Sequence, residues 1–353
     1  MYQWSDIITL RMKRQFFSTP VNKENYNELF NNMSPVPTMY WTAPGDPPTL
    51  PPHSDFNDYD YNSIRRSRRE ILKGRFGGGS IAYVTKEDLE LFGCLYRKEL
   101  SFPSSIQDEL LELLTQEGPM NIGMMKELTG LLVKEITPAL HKLQEAFLVY
   151  EDQLDNEGDR GWYLFESEFP EIDLNRYSRL EALKLVIPRF AYLCVFFEDD
   201  NLKSYYKLPQ KLVKEAANEL VKDNVLQTVT LEGRSGYVLC GESNSSSNEI
   251  SVTSIPPILL LQRNDFMVRS YAEKLKETFQ SEWETLYYLL INGEFHGAVV
   301  GRFKFGPHVI EDIVIDLPKK EKDTRRDEIM EAVYQVFDRT ESPMKRYDGR
   351  FLI

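Results

Sequence analysis

The spacing of apolar positions divides the chain into stretches of different period. Residues 5–19 and 22–32 place apolar side chains at helical intervals, whereas residues 34–62 lose that period and fill with Pro, Asp and Tyr. A loop this long in a compact domain is functional or disordered. Tyr40, Trp41, Phe56, Tyr59 and Tyr61 argue against disorder. Gly77-Gly78-Gly79 demands a tight backbone path, and Ile81 to Val84 behind it predicts a short strand. Thr85 with Asp88 three residues on predicts the start of a helix that runs through Arg97.

Residues 105–166 carry the clearest pattern. Leu110, Leu111 and Leu114 form one helical stripe; Asn121 caps a short helix that Gly130 stops. Ile136, Leu140, Leu143 and Phe147 share a face of a third helix, with Pro138 in its first turn or at a kink. Strands over 148–153 and 161–165 flank a polar turn at Asn156-Glu157-Gly158. Three helices and a hairpin describe a winged helix-turn-helix. The pattern returns with helices over 179–192 and 209–223, the second lined by Leu212, Ala216 and Leu220, and with strands over 225–231 and 237–240. Gly161-Trp162-Tyr163-Leu164 and Gly236-Tyr237-Val238-Leu239 occupy matching places, which makes an internal repeat. Residues 242–254 read as a Ser/Asn-rich linker. Beyond it come strands over 258–261, 284–291, 294–303 and 308–316, with Asn292-Gly293 as a hairpin turn, and a final helix over 324–338.

The expected fold class is therefore α+β: tandem winged helix-turn-helix units followed by a small C-terminal β-barrel-like domain. The boundaries fall at 1–104 for an N-terminal helical or winged-helix unit with an active-site loop, 105–172 and 173–245 for two winged helices, and 255–353 for the barrel-like domain with its terminal helix.

Composition adds constraints. The 353 residues are 42% hydrophobic and 27% charged, ordinary for a globular protein. No apolar run reaches the roughly 18 residues of a membrane span. The N-terminus lacks a basic segment followed by an apolar one, so the expected location is the cytoplasm. Cys94, Cys194 and Cys240 lie far apart and are expected as reduced, small core residues; no pair has metal-ligand spacing. His53, His141, His296 and His308 form no metal motif either, and Gly74 to Ser80 lacks the Gly-Lys ending of a phosphate-binding loop.

The net charge of −13 argues against a nucleic-acid partner, yet Arg65, Arg66, Arg68, Arg69, Lys73 and Arg75 face a single acid, Glu70, within residues 65–76. That run is either a solvated helix face or a grip for phosphates.

Several local segments become familiar when taken in order. These are Lys73-Gly74-Arg75-Phe76 with Ile81-Ala82-Tyr83-Val84 and Glu87-Asp88-Leu89, then Leu131 to Val149, then Asp265 and Arg269 after the apolar run Ile258 to Leu261. With these segments the chain resembles the AlkZ/YcaQ-type winged-helix DNA glycosylases over nearly its full length. The resemblance implies excision of an alkylated or otherwise bulky base from double-stranded DNA, with no cofactor and no metal. With no heptads for a coiled-coil dimer, a monomer is expected. One departure stands out: the Gln-x-Gln or Gln-x-Asp pair of that family would fall near Pro35-Val36-Pro37-Thr38, where no Gln occurs.

Base excision passes through an oxocarbenium-like state, so it needs negative charge near the sugar, a positioned water and a pocket for a flipped base. The loop His53 to Asp60 supplies Asp55, Asp58 and Asp60 as candidate catalytic carboxylates, with Tyr40, Trp41, Phe56 and Tyr59 as candidate walls of a base pocket. Arg65, Arg66, Arg68, Arg69, Lys73, Arg75, His141 and Lys142 are the candidate DNA contacts. Each has a bland counterpart: a polar loop whose Asp residues make turns, and an aromatic tucked under a rigid loop. Lys73 has a second chemical reading, as a Schiff-base nucleophile. Without the Gln pair, the expected substrate shifts to a non-standard lesion or a hypermodified base, such as glucosylated hydroxymethylcytosine in phage DNA. The role is then repair or anti-phage defence. The alternative is a winged-helix transcription regulator without catalysis.

Overall fold

The computed structural model describes residues 3–40, 45–152, 160–241, 255–303 and 308–352. Trp41, the turn at Asn156-Glu157-Gly158 and the whole Ser/Asn-rich segment 242–254 lie outside these residues. The chain opens with α1 (Trp4–Arg14), α2 (Tyr26–Asn32) and α3 (Asp58–Ser67), then the hairpin β1 (Ile71–Phe76) and β2 (Ser80–Thr85), and α4 (Leu89–Tyr96). Next come α5 (Ser105–Glu117), α6 (Ile122–Thr129), α7 (Val133–Glu145), β3 (Val149–Glu151), β4 (Trp162–Leu164) and the short α8 (Phe165–Glu168). A third set follows: α9 (Arg179–Cys194), α10 (Asp199–Tyr206), α11 (Gln210–Lys222), β5 (Leu226–Leu231) and β6 (Arg234–Leu239). The last part holds β7 (Ile258–Gln262), α12 (Phe266–Ser270), α13 (Ala272–Thr278), β8 (Glu284–Ile291), β9 (Glu294–Arg302), β10 (Val309–Ile315), α14 (Lys319–Thr324), α15 (Arg326–Tyr334), β11 (Arg346–Tyr347) and β12 (Arg350–Phe351).

The first three sets share one backbone device. A single residue between the first helix and the next pairs in both directions with the hairpin's second strand. Val36 and Tyr83 exchange N–H···O bonds of 2.8 Å each; Met120 and Trp162 do so at 3.2 and 2.9 Å, and Phe197 and Tyr237 at 3.1 and 2.8 Å. In the second and third sets the paired aromatic begins the segment whose Gly-aromatic pattern is visible in the sequence. The first set repeats the same connection with a longer excursion between its helices.

The local chemistry accounts for the helix ends. Ser104 and Ser178 cap α5 and α9 with reciprocal side-chain bonds to the third residue, Asn121 caps α6, and Gly130 ends it in the left-handed conformation. Leu110, Leu114, Ile136, Leu140, Leu143 and Trp162 form a core private to the second set. The first and third sets share one core instead. Phe92 and Leu95 lie in the same cluster as Leu183, Val186 and Phe190, and a two-pronged Arg189–Asp88 ion pair sits over the join.

The α1 helix closes the molecule. Ile7 and Leu10 pack on Val195, Phe196 and Val238 of the third set, while Ile8 and Met12, on an adjoining face, pack into the C-terminal cluster with Leu261, Leu290 and Val300. Buried Arg11 donates to the Gly293 carbonyl, and Gln15 to that of Leu193.

The C-terminal strands form an open antiparallel meander in the order β10-β9-β8-β7, with no closure among the described residues. The barrel-like expectation is corrected to a four-stranded sheet buried on both faces. α1, α12 and α13 cover one face, and Ile329, Val333 and Phe337 cover the other. Covering helices remove the need to close the sheet on itself.

Other differences have local causes. Residues 58–67 are helical because Asn57 accepts from the Asp60 N–H, and aromatic packing of Tyr61 on Tyr26 and Phe56 supplies the apolar face that periodicity missed. The helix expected over 324–338 runs as α14 and α15 instead. Cys94 and Cys194 are buried, whereas Cys240 is exposed just past the end of β6.

Asn292-Gly293 makes the expected turn, both residues at positive φ (52° and 85°). A methyl group on Gly293 would overlap Ile8 Cγ2 and press on Met12. Gly293→Ala is therefore expected to cost about 1–3 kcal/mol through strain and overpacking, read as a lower urea midpoint with unchanged m-value.

Candidate functional site

A cavity of about 900 Å³ opens between the helical sets and the C-terminal sheet. One wall is Pro35, Pro37 and Tyr40 with the β1–β2 hairpin (Phe76, Gly77, Ile81) and the end of α10 (Tyr205, Lys207). The other is Arg263 and Asn264, the α12–α13 face (Arg269, Lys276) and the entry to β8 (Trp283, Glu284, Tyr288).

Backbone pairing sets the first wall. Val36 bonds to Tyr83 with its side chain buried, so Pro35 and Pro37 on either side turn the opposite way and line the cavity. Neither proline carries an N–H to extend the pairing. The two walls are then sewn together. Arg269 lies over the Tyr205 ring, 4.2 Å from its centroid, and donates to the Pro35 carbonyl at 2.8 Å. Asn264 donates to the Thr38 carbonyl at 2.8 Å, and Gln262 Oε1 accepts from the backbone of both Asn264 and Tyr40. Asp265, which caps α12, takes His53 Nε2 at 2.8 Å with both side chains 1% exposed. The His53 Nδ1 lies 2.5 Å from the Gln15 carbonyl.

Four cations and one carboxylate line this cavity among the described residues: Lys207, Arg263, Arg269 and Lys276 against Glu284. Partial burial, then Arg269, pushes the Lys207 pKa down. Arg263 stacks 4.0 Å from the Tyr40 ring centre and pairs with Glu284 Oε1 at 2.9 Å; the Tyr40 hydroxyl donates to the same oxygen at 3.2 Å. An acidic protein thus holds a positive recess with aromatic walls and a single negative group.

Of the candidate catalytic, base-pocket and DNA-contact residues, Tyr40 alone reaches this recess among the described residues. Asp58 lies in the first turn of α3, buried, where it accepts from the Tyr26 hydroxyl at 2.8 Å and the Leu50 N–H at 2.7 Å. Burial raises its pKa against those bonds. Asp55 and Asp60 are exposed, and Asp60 is held by Asn57 at 2.7 Å. Phe56 packs edge-on against Tyr26 and Tyr61, and Tyr59 donates to Asp46 at 2.9 Å. The acidic loop thus leads into a helix and its supporting network, and Asp55, Asp58, Asp60, Phe56 and Tyr59 lie outside the lining of this recess. Trp41 lies outside the described residues.

Most of the basic run is spent inside the protein. Arg65 is buried on Asn62 and Asn27 beneath the Phe30 ring; Arg66 donates to the Gly45 carbonyl. Arg69 bridges Asp152 and Glu168 and lies over Tyr150 and Tyr163. Lys73 is buried against Glu151, which also takes Arg160 at 2.8 Å. Arg75 donates to Gln144 at 2.9 Å and to the Gly79 carbonyl at 3.0 Å. Half-buried His141 lies near Trp162, its pKa lowered by burial and by Arg75. Arg68 and Lys142 remain on the surface. The phosphate-grip reading fails for Arg65 and Lys73, which cannot reach a phosphate. The partners differ: Arg65 is held by the amides of Asn62 and Asn27, and Lys73 by the Glu151 carboxylate.

Sequence reasoning noted Asp265 and Arg269 only as part of the family resemblance, and missed Lys207, Arg263, Lys276 and Glu284. A usable signal was the polar run Gln262-Arg263-Asn264-Asp265 closing an apolar strand just before a helix.

No known family profile matches the chain, and no curated protein matches it in sequence. Among solved structures, the DNA glycosylase AlkZ of Streptomyces sahachiroi covers 98% of this chain and 99% of its own length, at a TM-score of 0.64 and 14% identity. The chain has the AlkZ fold. The agreement takes in nearly the whole length, so the three helical sets and the C-terminal sheet belong to one shared architecture. No helix among the described residues is long and apolar enough to cross a membrane.

Burial pushes the Lys73 pKa down to about 8, against the pull of Glu151. An unfolded lysine titrates near 10.4. Between those values the unfolded chain holds a proton that the folded chain has released, so stability contributed at this site rises with pH across the window. The stability difference between the native protein and Lys73→Met is expected to shift in favour of the native protein from pH 8 to pH 10. Parallel urea titrations at several pH values check it; a difference that stays flat or falls would contradict the burial cost assigned to Lys73.

Proposed function

We propose that this protein is a DNA glycosylase: it binds double-stranded DNA, takes a flipped base into the cavity above and hydrolyses its N-glycosidic bond. The observation that carries the reading is the cavity itself, four cations and one carboxylate among aromatic walls, set within the fold of a DNA glycosylase. The cations suit phosphates that flank an extruded nucleotide, and Tyr40, Trp283 and Tyr288 suit a base face. The three helix-and-hairpin sets act as winged helix-turn-helix units that seat the duplex. At about 900 Å³ the cavity lies near the top of the range of roughly 300–1,000 Å³ for ligand pockets, which supports a bulky alkylated or hypermodified base as substrate. The chemistry needs no metal, and the protein works as a cytoplasmic monomer in repair or phage defence.

One observation favours a second reading, a DNA-binding regulator without catalysis. Pro35 and Pro37 stand on the cavity wall where the resemblance places a catalytic Gln pair, and neither has a side chain that can orient water.

Base release separates the two. Incubation with methylated DNA and with phage DNA carrying glucosylated hydroxymethylcytosine is expected to give free base by mass spectrometry and abasic sites by alkaline cleavage. Asp58→Asn is expected to retain release, since Asp58 serves the fold. Binding without release from either DNA would favour the regulator. In the Lys207→Ala/Lys276→Ala double variant, duplex affinity should fall, and the slope of log K against log salt should shrink by about 1 per residue.

A further inference from the structure

We propose that Glu284 is the catalytic carboxylate of this cavity; the inference rests on the glycosylase reading and names the group that does its chemistry. Among the described lining residues Glu284 is the one negative side chain, sharing the cavity with Lys207, Arg263, Arg269 and Lys276. It stands at the first position of β8, so the sheet fixes its backbone while its carboxylate stays accessible. Two donors among the described residues, Arg263 at 2.9 Å and the Tyr40 hydroxyl at 3.2 Å, converge on Oε1. The two donors fix the orientation of the carboxylate and leave Oε2 to a substrate or a water. Arg263 in turn lies on the Tyr40 ring, so the aromatic wall and the carboxylate are set by one cluster. Arg263 and Tyr40 are positioning residues in this arrangement.

The step balances without a co-reactant other than water. The C1′–N bond breaks with its electron pair leaving on the base nitrogen, and positive charge spreads over C1′ and the ring oxygen. The Glu284 carboxylate stabilises that cation and accepts a proton from water as its oxygen bonds to C1′. The proton then passes through solvent to the released base, which restores the carboxylate. Cations on flanking phosphates keep one carboxylate from repelling the DNA as a whole.

The test needs no knowledge of the natural base. Duplexes carrying a 1-azadeoxyribose nucleotide, whose ring nitrogen is protonated and mimics the sugar cation, are compared with duplexes carrying a neutral tetrahydrofuran abasic site. The native protein is expected to prefer the cationic duplex by about 100-fold, as transition-state mimics are preferred. In Glu284→Gln, which keeps shape and removes charge, the ratio should fall to near one, with circular dichroism unchanged. General effects of charge on phosphate binding cancel in the ratio. A preference that survives in Glu284→Gln, or no preference in a native protein that binds both duplexes, overturns the role of Glu284 and leaves DNA binding standing. Failure to bind either duplex overturns the glycosylase reading, and Glu284 falls with it.

Discussion

His53 and Asp265 meet at 2.8 Å, 212 residues apart in sequence, with both side chains almost wholly out of water. The geometry constrains the protons. Nδ1 faces the Gln15 carbonyl, which can only accept, so Nδ1 carries a hydrogen; the contact with Asp265 then holds a further proton on one partner or the other. Buried polar groups of this kind are tolerated only when hydrogen-bonded, and leaving one of the two without its partner costs about 1–3 kcal/mol or more. Three segments are fixed at this point: the end of α1 through Gln15, the Pro-rich excursion through His53, and the N-terminus of α12 through Asp265. Arg263, Asn264 and Arg269 flank Asp265 within a few residues, so the cavity walls inherit their placement from this contact.

The cavity also depends on a division of labour between proline and arginine. A paired strand at Pro35-Val36-Pro37 would normally recruit further ladder bonds, but the two prolines limit it to the single Val36–Tyr83 exchange. The Pro35 carbonyl is left for Arg269, whose guanidinium also stacks on Tyr205. One arginine therefore satisfies a backbone acceptor of the first set, caps an aromatic of the third and still lines the recess. Rigid placement of this kind is what a site built on transition-state charge requires, because the stabilising groups must not reorganise during the reaction.

Much of the helical architecture was legible in the sequence because its signals are local. Asn121 caps where it should, Gly130 stops α6, Asn292-Gly293 turns the hairpin, and the two Gly-aromatic segments mark equivalent strands. The first set was harder to see, since its equivalent strand residue, Val36, is separated from α3 by a long irregular excursion. The open sheet was misjudged because strand periodicity reports which faces are buried and says nothing of whether a helix or another strand covers them. The site was least legible. Its charged groups come from four places, Lys207, Arg263 to Arg269, Lys276 and Glu284, and no local run announces them.

The dense basic run at 65–76 misled for a reason that follows from charge balance. A cluster of cations in a protein of net charge −13 sits among many carboxylates, and Arg69 gains more from Asp152 and Glu168 than from solvent, while Glu151 only partly offsets the burial of Lys73. These ties join the first set to the second, with Arg69 also resting on Tyr150 and Tyr163. The cations left for a ligand include Lys207 after the end of α10, Lys276 on exposed α13, and Arg269, which donates to the Pro35 and Tyr205 carbonyls. A carbonyl fixes an arginine without neutralising it, so Arg269 keeps its full charge for the recess while its geometry is locked. Net charge and local clustering are thus poor guides to where an acidic protein presents positive potential. What decides it is where the fold places each cation: Arg65 is buried among neutral partners, whereas Arg269, held by the Pro35 carbonyl, still lines the recess.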